Sequence, residues 1–315
     1  MGQVIYKVRR YDGREAYWQE YSFDHEAKKT VLWGLLKIKE TLDPTLSFVA
    51  ACRCAVCGAC AVRVNGQAVL ACEAMLDELL ARFGSPLVLE PLGNFPVIRD
   101  LVVDWEPKAT RLAEAKPWLM PKDEFAAETG CRQSQAEFGR IKTQTNCILC
   151  GSCASECSKL TTGGDDFYEP YVYTKMRKFV ADSRDKAPAD HLAPALERGL
   201  WKCVHCQECV TKCPKQVEPA EDISGLRRES IRQGFVDNAG ARHARAFYDD
   251  IAATGRLNEM TMSLRTEGLL KSATRLPFAL RLLRRGKLNP FHHPKAVKGI
   301  DGVRAIMRAA KEGKE

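Results

Sequence analysis

Residues 147–157 read CILCGSCASEC, and residues 203–214 read CVHCQECVTKCP. Both runs carry the spacing C-x2-C-x2-C-x3-C, through Cys147, Cys150, Cys153 and Cys157 and through Cys203, Cys206, Cys209 and Cys213, with Pro214 closing the second. Loops of this spacing aim three thiolates at one iron-sulfide cubane. The fourth cysteine, three residues on, turns away toward the cluster of the other run. The spacing therefore predicts one 4Fe-4S cluster on Cys147, Cys150, Cys153 and Cys213, and a second on Cys157, Cys203, Cys206 and Cys209. Paired zinc sites are the competing reading, and a third cysteine group weighs against them.

That group is Cys52, Cys57, Cys60 and Cys72, spaced C-x4-C-x2-C-x11-C. A tight loop of three thiolates closed by a distant fourth suits a 2Fe-2S cluster, whereas zinc ribbons use two separate C-x2-C knuckles. Gly58 lets the backbone come close to the inorganic sulfides. Of fourteen cysteines, Cys54 and Cys131 remain and are read as free buried thiols, Cys54 as a neighbour of the cluster. Among six histidines only His205 lies near this chemistry, as a tuning or packing residue, because four thiolates already fill its site.

A cysteine count this high also occurs in secreted disulfide scaffolds. There is no basic, apolar and small-residue signal sequence at Met1, and 315 residues bury a core without staples. No run of 18 apolar residues is present, so no membrane span is expected. The formal charge of +8 is not spread over the chain: residues 271–315 hold twelve Lys/Arg against three Asp/Glu, a net of +9, leaving −1 for the rest. A uniformly basic nucleic-acid face is thus excluded. Neither a G-x-G-x-x-G nor a P-loop occurs, and no nucleophile-and-base pattern stands out. Three redox clusters without a substrate site describe a wire between other subunits.

Around the motifs, Val4 to Arg9 and Ala16 to Phe23 read as a hairpin about Asp12-Gly13. Thr30 to Leu42 reads as an amphipathic helix, and Ala61 to Val64 with Ala68 to Ala71 as a hairpin about Asn65-Gly66. Pro107 to Lys122, rich in proline, is placed as a linker. Beyond it the chain is expected to be mainly helical, as in Ala189 to Gly199 and Ile223 to Gly234, with the tail broken at Pro277, Pro290 and Pro294. The domain reading is residues 1–110, 123–240 and a basic helical extension at 241–315.

These residues resemble the iron-sulfur subunits of succinate dehydrogenase and fumarate reductase. The resemblance runs through Leu46-Ser47-Phe48, the first cysteine loop, Val64-Asn65-Gly66, Leu70-Ala71-Cys72 and Phe95 to Asp104. It continues in Arg132-Gln133-Ser134, Cys147 to Gly151 and Cys213-Pro214-Lys215. It implies an α+β chain: an N-terminal β-grasp 2Fe-2S ferredoxin domain, then an α-helical ferredoxin domain. It further implies an electron-transfer subunit of a respiratory, tricarboxylic acid cycle oxidoreductase, with no catalytic site in this chain. FAD would sit in a flavoprotein partner, nearest the 2Fe-2S cluster. Typical members lack one cysteine of the last motif and hold a 3Fe-4S cluster beside a quinone site made with a membrane anchor. Here Cys206 fills that position, so 4Fe-4S is expected, with 3Fe-4S as the alternative. Trp201 to Cys206 resembles the ferredoxin-like subunits of heterodisulfide reductases. Variants that keep this cysteine, the methylmenaquinol:fumarate reductases and thiol-linked fumarate reductases, pair with a cysteine-rich subunit of that kind in place of the anchor. The implied placement is peripheral, on the cytoplasmic face of a membrane.

Other roles open to the residues are a subunit linking a different flavoprotein dehydrogenase to a thiol-disulfide couple, and a stand-alone ferredoxin-like carrier. The tail is expected to dock on the cysteine-rich partner. Its short apolar face and Pro277 argue against a long interfacial helix.

Overall fold

A computed structural model of the chain describes residues 2–122, 128, 130–163, 166–287 and 294–312. The expected break at Pro290 and the expected domain start at 123 lie outside them. Two compact units divide the chain, Met1–Arg228 and Glu229–Glu315.

In the first unit, alternation along β1 (Gln3–Tyr11) buries Val4, Tyr6 and Val8 on one face, and the Asp12-Gly13 turn returns the chain as β2 (Ala16–Asp24). The Thr30 hydroxyl caps α1 (Val31–Thr41) by accepting from the Trp33 N–H. Helix α1 buries Val31, Leu32, Leu35 and Ile38, and each such side chain contributes about 1.5–3 kcal/mol. Hairpin β3 (Ala61–Val64) and β4 (Gln67–Leu70) turns at Asn65-Gly66, as expected. Helix α2 (Leu76–Phe83), acidic in its first turn and ended by Gly84, was not foreseen. It leads to β5 (Leu87–Glu90), which joins β1 in parallel and β3 antiparallel, giving the sheet order β2-β1-β5-β3-β4. A mixed sheet with its long helix against one face is the expected β-grasp. A small pair, β6 (Val97–Arg99) and β7 (Val102–Val103), follows.

The linker reading needs correction. Helix α3 (Glu106–Glu114) opens with Pro107 in its first turn, where the missing N–H costs nothing. It is bound to the helical region: Lys108 Nζ lies 2.8 Å from fully buried Glu169, and Glu114 accepts from the Tyr168 hydroxyl at 3.0 Å. Residues 116–122 are tied down as well. Lys186 N–H donates to Met120 C=O at 2.8 Å and Lys122 N–H to Arg184 C=O at 2.9 Å. The stretch joins the two parts rigidly.

The helical part holds short α4 (Gln135–Gly139), α5 (Lys142–Thr145), α6 (Ser152–Ser155) and α7 (Ser158–Thr161), then α8 (Pro170–Ala181) and α9 (Pro188–Glu197). After these come α10 (Glu208–Thr211) and α11 (Pro219–Arg232). No strand occurs in the described part of this region, as expected. In the second unit α12 (Ala239–Thr254) packs against α13 (Glu259–Ala273) and α15 (Ile300–Glu312). Arg265 there bonds Asp250 at 2.5 Å and Asp249 at 2.9 Å. Between α13 and α15 lies α14 (Leu276–Arg284): the helix is interrupted at residues 274–275 and resumes with Pro277 in its first turn, so the expected break falls just before that proline.

Candidate functional site

The loop at residues 51–60 is shaped by three left-handed residues, Arg53, Ala55 and Gly58. Alternating backbone hands turn successive N–H groups to one side, making a concavity that favours anions. Cys54, Val56 and Cys57 donate to Cys52 Sγ at 3.4, 3.3 and 3.2 Å, and Ala55 donates to Cys72 Sγ at 3.2 Å. These N–H groups lower the Cys52 thiol to about 6, while burial lifts Cys60 to about 12. The distant fourth cysteine is brought back by the β3–β4 hairpin: Ala71 N–H donates to Cys60 C=O at 3.1 Å, next to Cys72. The buried setting expected for the two spare cysteines is not found: Cys131 is half-buried and Cys54, on the outside of the loop, is exposed, and its bond to Cys52 raises its pKa.

The two later runs repeat one local geometry. Leu149 and Gly151 flank Cys150 with positive φ, and His205 and Gln207 flank Cys206 in the same way, each pair preceding a short helix, α6 or α10. Cys147, Cys150 and Cys153 line a small cavity together with Cys213 from the other run. Cys203, Cys206 and Cys209 line a second together with Cys157. Helix α8 gives Tyr171 and Thr174 to the first and Pro170 to the second. Helix α11 gives Pro219 to the first and Ala220 and Ile223 to the second.

The donor sets suit iron-sulfur clusters. Four thiols face each cavity, and the one imidazole among the lining residues, His205 on the second, has its Nε2 2.8 Å from Arg227. Among the described residues no three Cys, His, Asp or Glu side chains are arranged to hold a single ion, as zinc would require. The Tyr171 hydroxyl, buried on the first cavity wall, has no hydrogen-bond partner among the described residues. Burial raises Cys147, Cys153, Cys157, Cys203 and Cys213, and takes Cys209 to about 12, so ionisation of these thiols is coupled to metal binding.

Against known proteins, residues 5–110 match a 2Fe-2S iron-sulfur cluster binding domain and residues 143–217 a 4Fe-4S dicluster domain. The 8-methylmenaquinol:fumarate reductase iron-sulfur subunit of Wolinella succinogenes is 46% identical over 315 residues, covering 96% of this chain and 98% of the relative. The chain belongs to the iron-sulfur subunits of succinate dehydrogenase and fumarate reductase. A fumarate reductase iron-sulfur subunit of Mycobacterium tuberculosis is 38% identical over 228 residues, 71% of this chain and 91% of that one. A chain of the Mycobacterium smegmatis Sdh1 complex in the apo form shares the fold at TM-score 0.65 and 21% identity, covering 74% of this chain and 97% of that chain.

As such a subunit, the chain transfers electrons through 2Fe-2S and 4Fe-4S clusters inside an oxidoreductase complex and has no catalytic site of its own. The complexes include a flavoprotein subunit, which holds the FAD. Among the described residues no helix is long and apolar enough to cross a membrane.

Several residues that hold the centres carry no motif. Asn94 donates to the carbonyls of Ala154, Ser155 and Cys157 at 2.9, 3.1 and 3.2 Å, joining the β-grasp part to the second cysteine run. Arg227 donates to the carbonyls of Leu200 and Cys203 at 3.0 and 2.9 Å and sits 2.8 Å from His205 Nε2, over the Trp201 ring. Burial, then Arg227, lowers the His205 pKa. Gly58 faces Cys150: a Cβ there would lie 2.7 Å from the Cys150 Cβ and 2.8 Å from its Cα. The missing Cβ thus makes room for the neighbouring cysteine run. Cys131 lines neither cavity.

Proposed function

We propose that the ligand sets are Cys52, Cys57, Cys60 and Cys72 for the 2Fe-2S cluster, Cys147, Cys150, Cys153 and Cys213 for the first 4Fe-4S cluster, and Cys157, Cys203, Cys206 and Cys209 for the second. Clusters bound there would accept and pass single electrons. The chain's own residues supply spacing, burial and hydrogen bonds to sulfur. The observation that carries this reading is the crossing of the runs, with Cys213 on the cavity of Cys147 and Cys157 on that of Cys203. The domains read as 1–110, 123–240 and 241–315. Electrons pass between the flavoprotein at the 2Fe-2S end and, at the Cys206 end, a cysteine-rich, heterodisulfide-reductase-like subunit that stands in place of a membrane anchor and serves a quinone or thiol couple. The near full-length likeness to a methylmenaquinol:fumarate reductase subunit supports that partner. The complex lies peripherally on the cytoplasmic face.

Metal analysis and EPR test the ligand sets. Protein purified without oxidation should hold about ten irons and show no 3Fe-4S signal, against about nine irons and an intense signal for a three-iron site. Cys206→Ser should create that signal.

A further inference from the structure

We infer that α14 and the end of α13 form a surface that lies on an anionic lipid membrane, which goes beyond the electron-transfer reading and does not depend on it. Between Glu267 and Asp301 the sequence has eight Lys/Arg and no acid. At about 3.6 residues per turn, Leu276, Leu280 and Leu283 share one face of α14, and Arg281, Arg284 and Arg285 share the adjoining one. All three leucines are exposed, as is Phe278, and α14 has no buried residue. At the end of α13, Leu269 and Leu270 are 76% and 89% exposed beside Lys271. Arg281, Arg284, Arg285 and Lys287 make no ion pair among the described residues. Arg275 alone is engaged, 2.6 Å from Glu267.

Two arguments commit this face to lipid. Protein interfaces concentrate their apolar anchors in a core depleted of charge. Here leucine and arginine alternate along the segment, so that basic heads can reach phosphates while the leucines enter the acyl boundary. Pro277, which on sequence argued against an interfacial helix, sits in the first turn and leaves the apolar face whole. The charge excess matches an anionic headgroup layer.

The test is flotation of the full, cluster-loaded chain with vesicles of phosphatidylcholine alone or mixed with phosphatidylglycerol. The chain should float with the anionic vesicles only, and salt should release it. Arg281→Gln/Arg284→Gln/Arg285→Gln should lose affinity roughly a hundredfold. Leu276→Ser/Leu280→Ser/Leu283→Ser should lose binding too, with the iron content of both variants unchanged. Failure of the parent chain to float, or flotation unaltered in both variants, overturns the proposal. So does release of the copurifying electron-acceptor subunit by these variants while flotation persists, which would make the face a protein-docking site.

Discussion

At the scale of single residues, Gly58 carries two demands at once. Its φ of +75° favours glycine, and its missing Cβ admits Cys150. Gly66 separates these demands, since its φ is +76° and its nearest foreign atom is an Arg63 nitrogen at 3.8 Å. Gly66→Ala should therefore cost only the backbone strain, about 1–2 kcal/mol. Gly58→Ala should cost more, because the backbone of residue 150 cannot yield as a flexible side chain would. It should also loosen the first cysteine loop from its neighbour. Thermal unfolding of the two variants, with iron content as the loading check, compares them. Equal destabilisation would mean that the approach to Cys150 has no energetic weight.

Among the elements, α8 and α11 matter most, because each lines both cavities. Between them Asp222 is buried and accepts from Gln144 Nε2 at 2.6 Å and Thr174 Oγ1 at 2.7 Å. Burial raises its pKa to about 6. An acid whose pKa is higher folded than unfolded stabilises the fold below the unfolded value, near 3.9, and that contribution is lost as pH rises to about 6. The difference of about two units corresponds to roughly 3 kcal/mol. Asp222→Asn should therefore melt higher than the parent at pH 7.5, with the gap narrowing at pH 5. A variant that melts lower at both values would show that the ionised carboxylate holds the two helices together.

The elements also show what a sequence reveals. The hairpins at Asp12-Gly13 and Asn65-Gly66, helix α1 and the three cysteine spacings are set by neighbours a few residues apart, and all were legible. The parallel pairing of β1 with β5 was not, because Tyr6 and Leu87 meet through long-range packing. Proline misled at Pro107, since proline starts a helix as readily as it ends one. Asn94 and Arg227 gave no signal, because their task is to bond carbonyls that only the folded chain assembles. The sharing of each cavity between two runs was legible only because the motif carries a general rule of crossing.

For the whole molecule, the first unit places the 2Fe-2S loop against the first four-thiol cavity through Gly58. The second cavity lies across α8 and α11 from the first, and exposed Val204 and Cys206 mark its outer side. Electrons pass between the FAD of the flavoprotein and the clusters of this chain. The most direct test is to add succinate anaerobically to the purified complex and to the cluster-loaded chain alone, following the visible absorption and EPR of the clusters. Succinate should reduce the centres in the complex and leave the isolated chain oxidised, although dithionite reduces it. Reduction of the isolated chain by succinate would contradict the account.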